Sequence, residues 1–181
     1  MDAVAGLLDG PRARGAFLLR STLDPPWSMR IQDEAPLTLV AVVRGQAWIV
    51  PDERPPERLG PGDVAILRGP EPYVVADDPE TPPQVVIHPG QRCTAPDGTA
   101  FMPLSELGVR TWGTSADGGT ILLTGTYPHA GEVSGRLLRA LPASLLLRAD
   151  AWSSPLIPLL TDEIVKDDPG QEAVLSANGL P

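Results

Sequence analysis

The chain has 181 residues, 23 acidic against 14 basic side chains for a net charge of −9, and 22 prolines with 18 glycines. The acidity argues against a direct grip on nucleic acid or an anionic membrane, since both attract Lys and Arg. The proline and glycine content argues against a helical bundle, because both residues weaken helix interiors, and favours many short strands joined by tight turns.

In chain order, residues 2–9 read as a short helix stopped by Gly10-Pro11, and residues 16–20 as a first strand. Pro25-Pro26 interrupts any ladder, since proline has no N–H to donate. The apolar run Leu37–Val43 predicts a strand covered on both faces. Arg44-Gly45 turns the chain into a strand over 46–50. Leu59-Gly60-Pro61-Gly62-Asp63 reads as a turn in which Pro61 presets φ and Gly62 takes the positive φ. Strands follow over 64–67, 73–76, 84–88 and 120–127, while residues 89–108 look irregular. Beyond residue 130 the character changes. Ser134 heads a helix bearing Leu137, Leu138 and Leu141 that ends at Pro142. Ser154-Pro155 opens a second helix with Leu156, Leu159, Leu160 and Ile164 on one side. Asp168-Pro169-Gly170-Gln171 signals the start of a third that has no room before Pro181. The pattern predicts a mainly β chain, with a barrel or sandwich over 1–130 and a helical tail over 131–181.

Cys93 is the one cysteine, so no intrachain disulfide forms. The N-terminus lacks a signal-peptide pattern. No stretch nears the ~20 apolar residues that span a bilayer. A cytoplasmic protein with no membrane partner is expected.

The strands, the Gly60-Pro61-Gly62-Asp63 turn and the later tail resemble the cupin-type N-terminal domain of AraC-type transcription regulators. The residues that carry this are Leu39–Gly45 with Ala47-Trp48, Leu59–Val64 with Arg68-Gly69, Thr124–Tyr127, and the tail segments Leu137, Leu138, Ala140–Pro142, Trp152, Pro155-Leu156, Leu159-Leu160 and Glu163. The resemblance covers about residues 5–176. It implies a cupin double-stranded β-barrel, or jelly roll, that binds a small-molecule effector and dimerises through its tail, with Leu137, Leu141, Leu156 and Leu160 at the pairing face. It also implies a helix-turn-helix domain through which DNA would be bound. That region is missing here, so the chain is expected to be truncated. Cupin enzymes hold a metal through a His-x-His pair, a Glu and a further His. This chain has Val40-Ala41-Val42 and Tyr73 at the corresponding places, so no metal, cofactor or catalytic residue is expected. A stand-alone cupin metalloenzyme and a dimerisation module without an effector are the rival readings.

Five residues are candidates for the ligand site. Trp48, Tyr73 and Trp112 lie on or beside predicted strands, where aromatics with a polar tip can line an apolar pocket or simply pack the core. His88 and Cys93 are five apart and read either as a pair at the barrel rim, with Arg92 lowering the thiol pKa, or as a backbone-bonded His beside a small buried Cys. Trp27 is expected to cover a barrel end, Trp152 to anchor the tail, and His129 to be exposed. Asp63 is expected to accept from nearby turn amides. Asp77-Asp78 and Asp167-Asp168 read as solvated pairs, with Asp168 doubling as a cap.

Overall fold

The computed structural model describes residues 17–100, 105–108, 110–129, 131, 133–152 and 154–166. The helices expected over 2–9 and from Asp168 onward, and the pair Asp167-Asp168, lie outside these residues. Chain order runs β1 (Phe17–Leu23), β2 (Ser28–Ile31), β3 (Leu37–Arg44), β4 (Ala47–Pro51), β5 (Glu57–Leu59), β6 (Val64–Arg68), β7 (Tyr73–Ala76) and β8 (Val85–His88). A short 3-10 turn at Pro89–Gln91 leads to β9 (Arg92–Thr94), β10 (Ser105–Gly108), β11 (Thr111–Gly113) and β12 (Thr120–Tyr127). The tail comprises α1 (Gly135–Ala140), β13 (Ser144–Leu147) and α2 (Leu156–Glu163).

Two mixed sheets form, with strand orders β10-β11-β1-β12-β3-β6-β13 and β5-β4-β7-β2-β8-β9. Pairing is antiparallel except for β1 with β11 and β2 with β8. Side chains alternate across each strand. On β3, Val40 and Val42 therefore enter the core between the sheets, where they meet Met29, Ile49 and Val75 from the facing sheet. Ala41 and Val43 point to the other side, into a second cluster with Leu18, Val64, Leu123 and Ile164. The β3 run is covered on both faces, as its unbroken apolarity requires.

The helix α2 supplies that outer cover. Ile157, Leu160 and Ile164 recur at helical spacing and face the sheet, with Ile164 fully buried, while Leu156 and Leu159 on the other side are 54% and 52% exposed. Ser154 Oγ accepts from the Leu156 N–H at 3.2 Å, just ahead of the helix, whose N-cap is Pro155.

The tail is not purely helical. Residues Ser144–Leu147, expected to lie in a helical region, pair antiparallel with β6 and extend the larger sheet. Within 89–108, expected to be irregular, β9 pairs with β8 and β10 pairs with β11. These strands are only three or four residues long, so a sheet edge waiting to be paired decides their conformation more than their own pattern does.

Candidate functional site

The interior between the sheets is almost filled. At one end it keeps a void of about 50 Å³, bounded by Tyr73, Trp112 and Phe17 and by apolar residues such as Val40 and Leu122. Hydroxyls of Ser21, Thr38, Thr124 and Thr126 also face it, as do Asp33 and Gln91. A slot of about 350 Å³ lies beside it, reaching Cys93, Gly108 and Arg110. Phe17, Leu19, Ile87, Gln91 and Trp112 border both spaces. The slot falls where β9 ends one sheet and β10-β11 end the other, at the gap between sheet edges.

Local patterning explains the polar lining. In β12, Thr120, Leu122, Thr124 and Thr126 share one face by the two-residue period, and β3 does the same with Thr38, Val40 and Val42. Threonine is a good strand former whose hydroxyl comes along with its methyl. Trp112 Nε1 donates to Ser21 Oγ at 2.7 Å across the β1–β11 pair. The Tyr73 hydroxyl is hydrogen-bonded with Thr38, and burial, reinforced by Asp33, pushes the phenol well above its ordinary range. Asp33 accepts from the Ala35 N–H at 3.1 Å. Burial raises its carboxyl above the usual 3.8, against the lowering effect of that bond.

Of the five candidate residues, Tyr73 and Trp112 meet at the void. Cys93 lies on the adjoining slot, and burial pushes its thiol up. The lowering expected from Arg92 does not occur, since Arg92 is exposed and pairs with His88 in the ladder. His88 faces away from the interior. It alternates with Ile87, which faces in, and its Nε2 lies 2.9 Å from Thr94 Oγ1. His88 and Cys93 are on opposite faces of the β8–β9 hairpin and form no pair, because five residues around a tight turn return the chain with inverted parity. Trp48 also faces outward, since its neighbours Ala47 and Ile49 are the ones fully buried in the core. Sequence reasoning missed Asp33, Ser21, Thr38, Thr124 and Thr126. The threonines were findable from their shared parity within apolar strands; Asp33, on a loop, carried no signal.

The tail leucines also divide. Leu137 and Leu156 are exposed, Leu141 is half-buried just past α1, and Leu160 packs on the barrel. The outward leucine beside Leu156 is Leu159. His129 is exposed as expected, and Trp27 is 1% exposed within the main core. Trp152 borders a groove between α2 and the barrel. Asp77 and Asp78 do more than face solvent: they accept from Thr81 Oγ1 and the Glu80 N–H, shaping their turn.

Asp63 reaches further than its own turn. Gly62 has φ +86°, as the turn demands, and Asp63 Oδ2 accepts from the Gly60 N–H at 2.9 Å. Its Oδ1 accepts from the Ala149 N–H at 2.8 Å, and Arg148 Nη1 reaches Oδ2 at 3.0 Å and the Arg58 carbonyl at 2.6 Å. Burial pushes the Asp63 carboxyl up, but the two backbone donors and Arg148 together outweigh it and hold the group below 3.8. One carboxylate thus ties the β5–β6 turn to the chain just past β13.

Two facing sheets closed around a core, a Gly-Pro-Gly-Asp turn and a terminal helix laid on the larger sheet define a cupin-type β-barrel. The sequence matches the family described as Cupin over residues 2–178, and the chain belongs to that family. Among solved structures it is similar to ToxT from Vibrio cholerae. The apo K231A form from strain SCE256 shows 8% identity over 90% of this chain and 52% of that one, with a TM-score of 0.47. The P21 form shows 8% identity over 91% and 53%, with a TM-score of 0.40. The strain O395 structure shows 8% identity over 91% and 51%, with a TM-score of 0.37. The chain spans about half the length of these proteins. No curated protein matches.

Cupin enzymes hold an internal metal, and the described residues here do not fit one. The inward positions of β3 are Thr38, Val40 and Val42, and Tyr73 opens β7. Among the described residues no group of three or more His, Cys, Asp or Glu can hold an ion. Nor is any helix among them long and apolar enough to cross a membrane.

Proposed function

We propose that this chain is the ligand-sensing and dimerisation domain of an AraC-type transcription regulator. The observation that carries the reading is the void at one barrel end, lined by Tyr73, Trp112 and four hydroxyl side chains. A concave, mostly apolar site with a few convergent polar groups is the usual form of a small-molecule pocket. A small effector enters through the slot past Cys93 and meets Tyr73 and Trp112. Because the void is only about 50 Å³, the effector must move side chains to enter, and that movement is the signal.

The tail is placed to receive it. β3 lines the void with Thr38 and Val40, pairs with β6, and β6 pairs with β13. The reverse face of β3 carries α2. An effector that favours one packing of β3 therefore biases the tail by its differential affinity for the two arrangements. Leu137, Leu156 and Leu159 are exposed apolar side chains of that tail, and a second copy is what covers them in this reading. DNA is contacted through a helix-turn-helix domain rather than through this acidic chain, and the cytoplasm is its place of work.

The test is a thermal-shift screen of the chain against a metabolite panel, run with light scattering for mass. A ligand at 100 times its Kd adds about 2.7 kcal/mol of stability. A Leu156→Asp, Leu159→Asp variant is expected to run as a monomer. A dimer that responds to no compound supports instead a dimerisation module without an effector. A wild-type chain that stays monomeric at high concentration defeats the dimer half.

A further inference from the structure

We infer that the barrel's ligand is a slender, mostly apolar molecule headed by a hydrogen-bond donor, a hydroxyl or an amine, and not by an anion. This rests on the sensing role proposed above and narrows it. The slot and the void share Phe17, Leu19, Ile87, Gln91 and Trp112, so they form one path from the gap between the sheet edges inward. A single water needs about 10–15 Å³ of such accessible space. The inner space of about 50 Å³ therefore takes a head group and its first few carbons, and the 350 Å³ slot takes the rest of a chain. A fused-ring body does not reach the inner end.

The charged group the head meets there is an acceptor, Asp33, set among hydroxyls and an amide that can either donate or accept. Ser21 Oγ already accepts from Trp112, and Tyr73 and Thr38 are bonded to each other. Asp33 commits one oxygen to the Ala35 N–H and is the charged side chain on the lining. No Lys, Arg or His borders the void among the described residues. Arg110 borders only the outer slot and has a partner of its own. An anionic head would lose its water beside Asp33 with no cation to replace it. A donor head finds a carboxylate already partly stripped of water, and a charge-assisted hydrogen bond to it is a strong one.

The full chain titrated with 1-octanol, octylamine and octanoate tests this, each at a concentration below micelle formation, with melting temperature and tryptophan fluorescence as readouts. Binding of the alcohol or the amine at least tenfold tighter than octanoate is expected. In an Asp33→Asn variant the amine should weaken by about tenfold, the worth of a hydrogen bond to a charged group, and the handicap of octanoate should shrink. The wild-type comparison decides the head-group question by itself, so a poorly folding variant does not blunt it. Octanoate binding as tightly as octanol overturns the donor-head inference and leaves the sensing role standing. Failure of all three to bind overturns this inference, while the metabolite screen decides the sensing role separately.

Discussion

Replacing Asp63 by Ala removes the acceptor for two backbone donors, Gly60 N–H at 2.9 Å and Ala149 N–H at 2.8 Å, and for Arg148 at 3.0 Å. The Asp63 side chain is 12% exposed, whereas that of Arg148 is 45% exposed. The two backbone bonds therefore dominate. Each is worth about 1.5 kcal/mol as a hydrogen bond to a charged group, and the half-exposed ion pair adds about 0.5 kcal/mol at most. The loss is about 3 kcal/mol, or roughly 6–12 °C in Tm for a chain of this size. Asp63→Asn keeps one acceptor oxygen and should lose about half as much. Arg148→Ala should cost under about 1 kcal/mol. Chemical denaturation gives the energies, and amide exchange at 144–149 should accelerate selectively in Asp63→Ala, because the bond to Ala149 is what pins that segment. A cost below about 1 kcal/mol for Asp63→Ala, or an Arg148→Ala cost equal to it, refutes the reasoning. The pH dependence has a definite sign. The folded carboxyl lies below its ordinary 3.8, so its stabilisation is complete above that value and is lost as pH falls through the depressed one. Asp63→Asn should flatten that acid limb.

Ile164→Ala, at a fully buried position beneath α2, should cost about 2–5 kcal/mol and raise proteolysis of the tail before the barrel. Trp112→Phe removes the donor to Ser21 Oγ, whose residue is 2% exposed; about 1–2 kcal/mol should be lost in urea denaturation, and Ser21→Ala on top should recover part of it. Gly113→Ala would set a Cβ 1.8 Å from the Thr22 carbonyl oxygen in the parallel β1–β11 pair, so soluble expression should fall sharply while Gly98→Ala, whose Cβ meets nothing within 4 Å, should still express. Asp33 acts opposite to Asp63 in acid: its folded carboxyl is raised, so its ionised form penalises the fold at neutral pH and Asp33→Asn should stabilise slightly there, measured by Tm at pH 7 against pH 4.

The long strands and the turn glycine were legible because they depend on local chemistry. Leu37–Val43 is apolar throughout and lies between two cores, and Gly62 sits where only a residue at ease with positive φ fits. The two tail helices announced themselves by their leucines, while Ser134 stands at the N-cap of α1 without a side-chain cap bond and Ser154 lies just ahead of the N-cap of α2. The strand Ser144–Leu147 did not, since Leu145–Leu147 suits a helix equally well and only the free edge of β6 selects the extended form. Of the candidate site, the part that borders the void, Tyr73 and Trp112, was legible because large aromatics on strands are scarce here. Trp48 and His88 were misplaced because chemical type says nothing of parity, and a side chain one residue out of step faces the other side of the sheet. The second job of Asp63 was invisible, because its partners Arg148 and Ala149 lie 85 and 86 residues away.

The four tryptophans allow a single direct measurement, the indole N–H resonances of the chain titrated with a small-molecule library. A ligand that enters the barrel must disturb the Trp112 bond to Ser21, so Trp112 should shift first and furthest, with the outward-facing Trp48 nearly still. Hits that move Trp48 or Trp152 while Trp112 stays fixed would place binding outside the barrel and contradict the account.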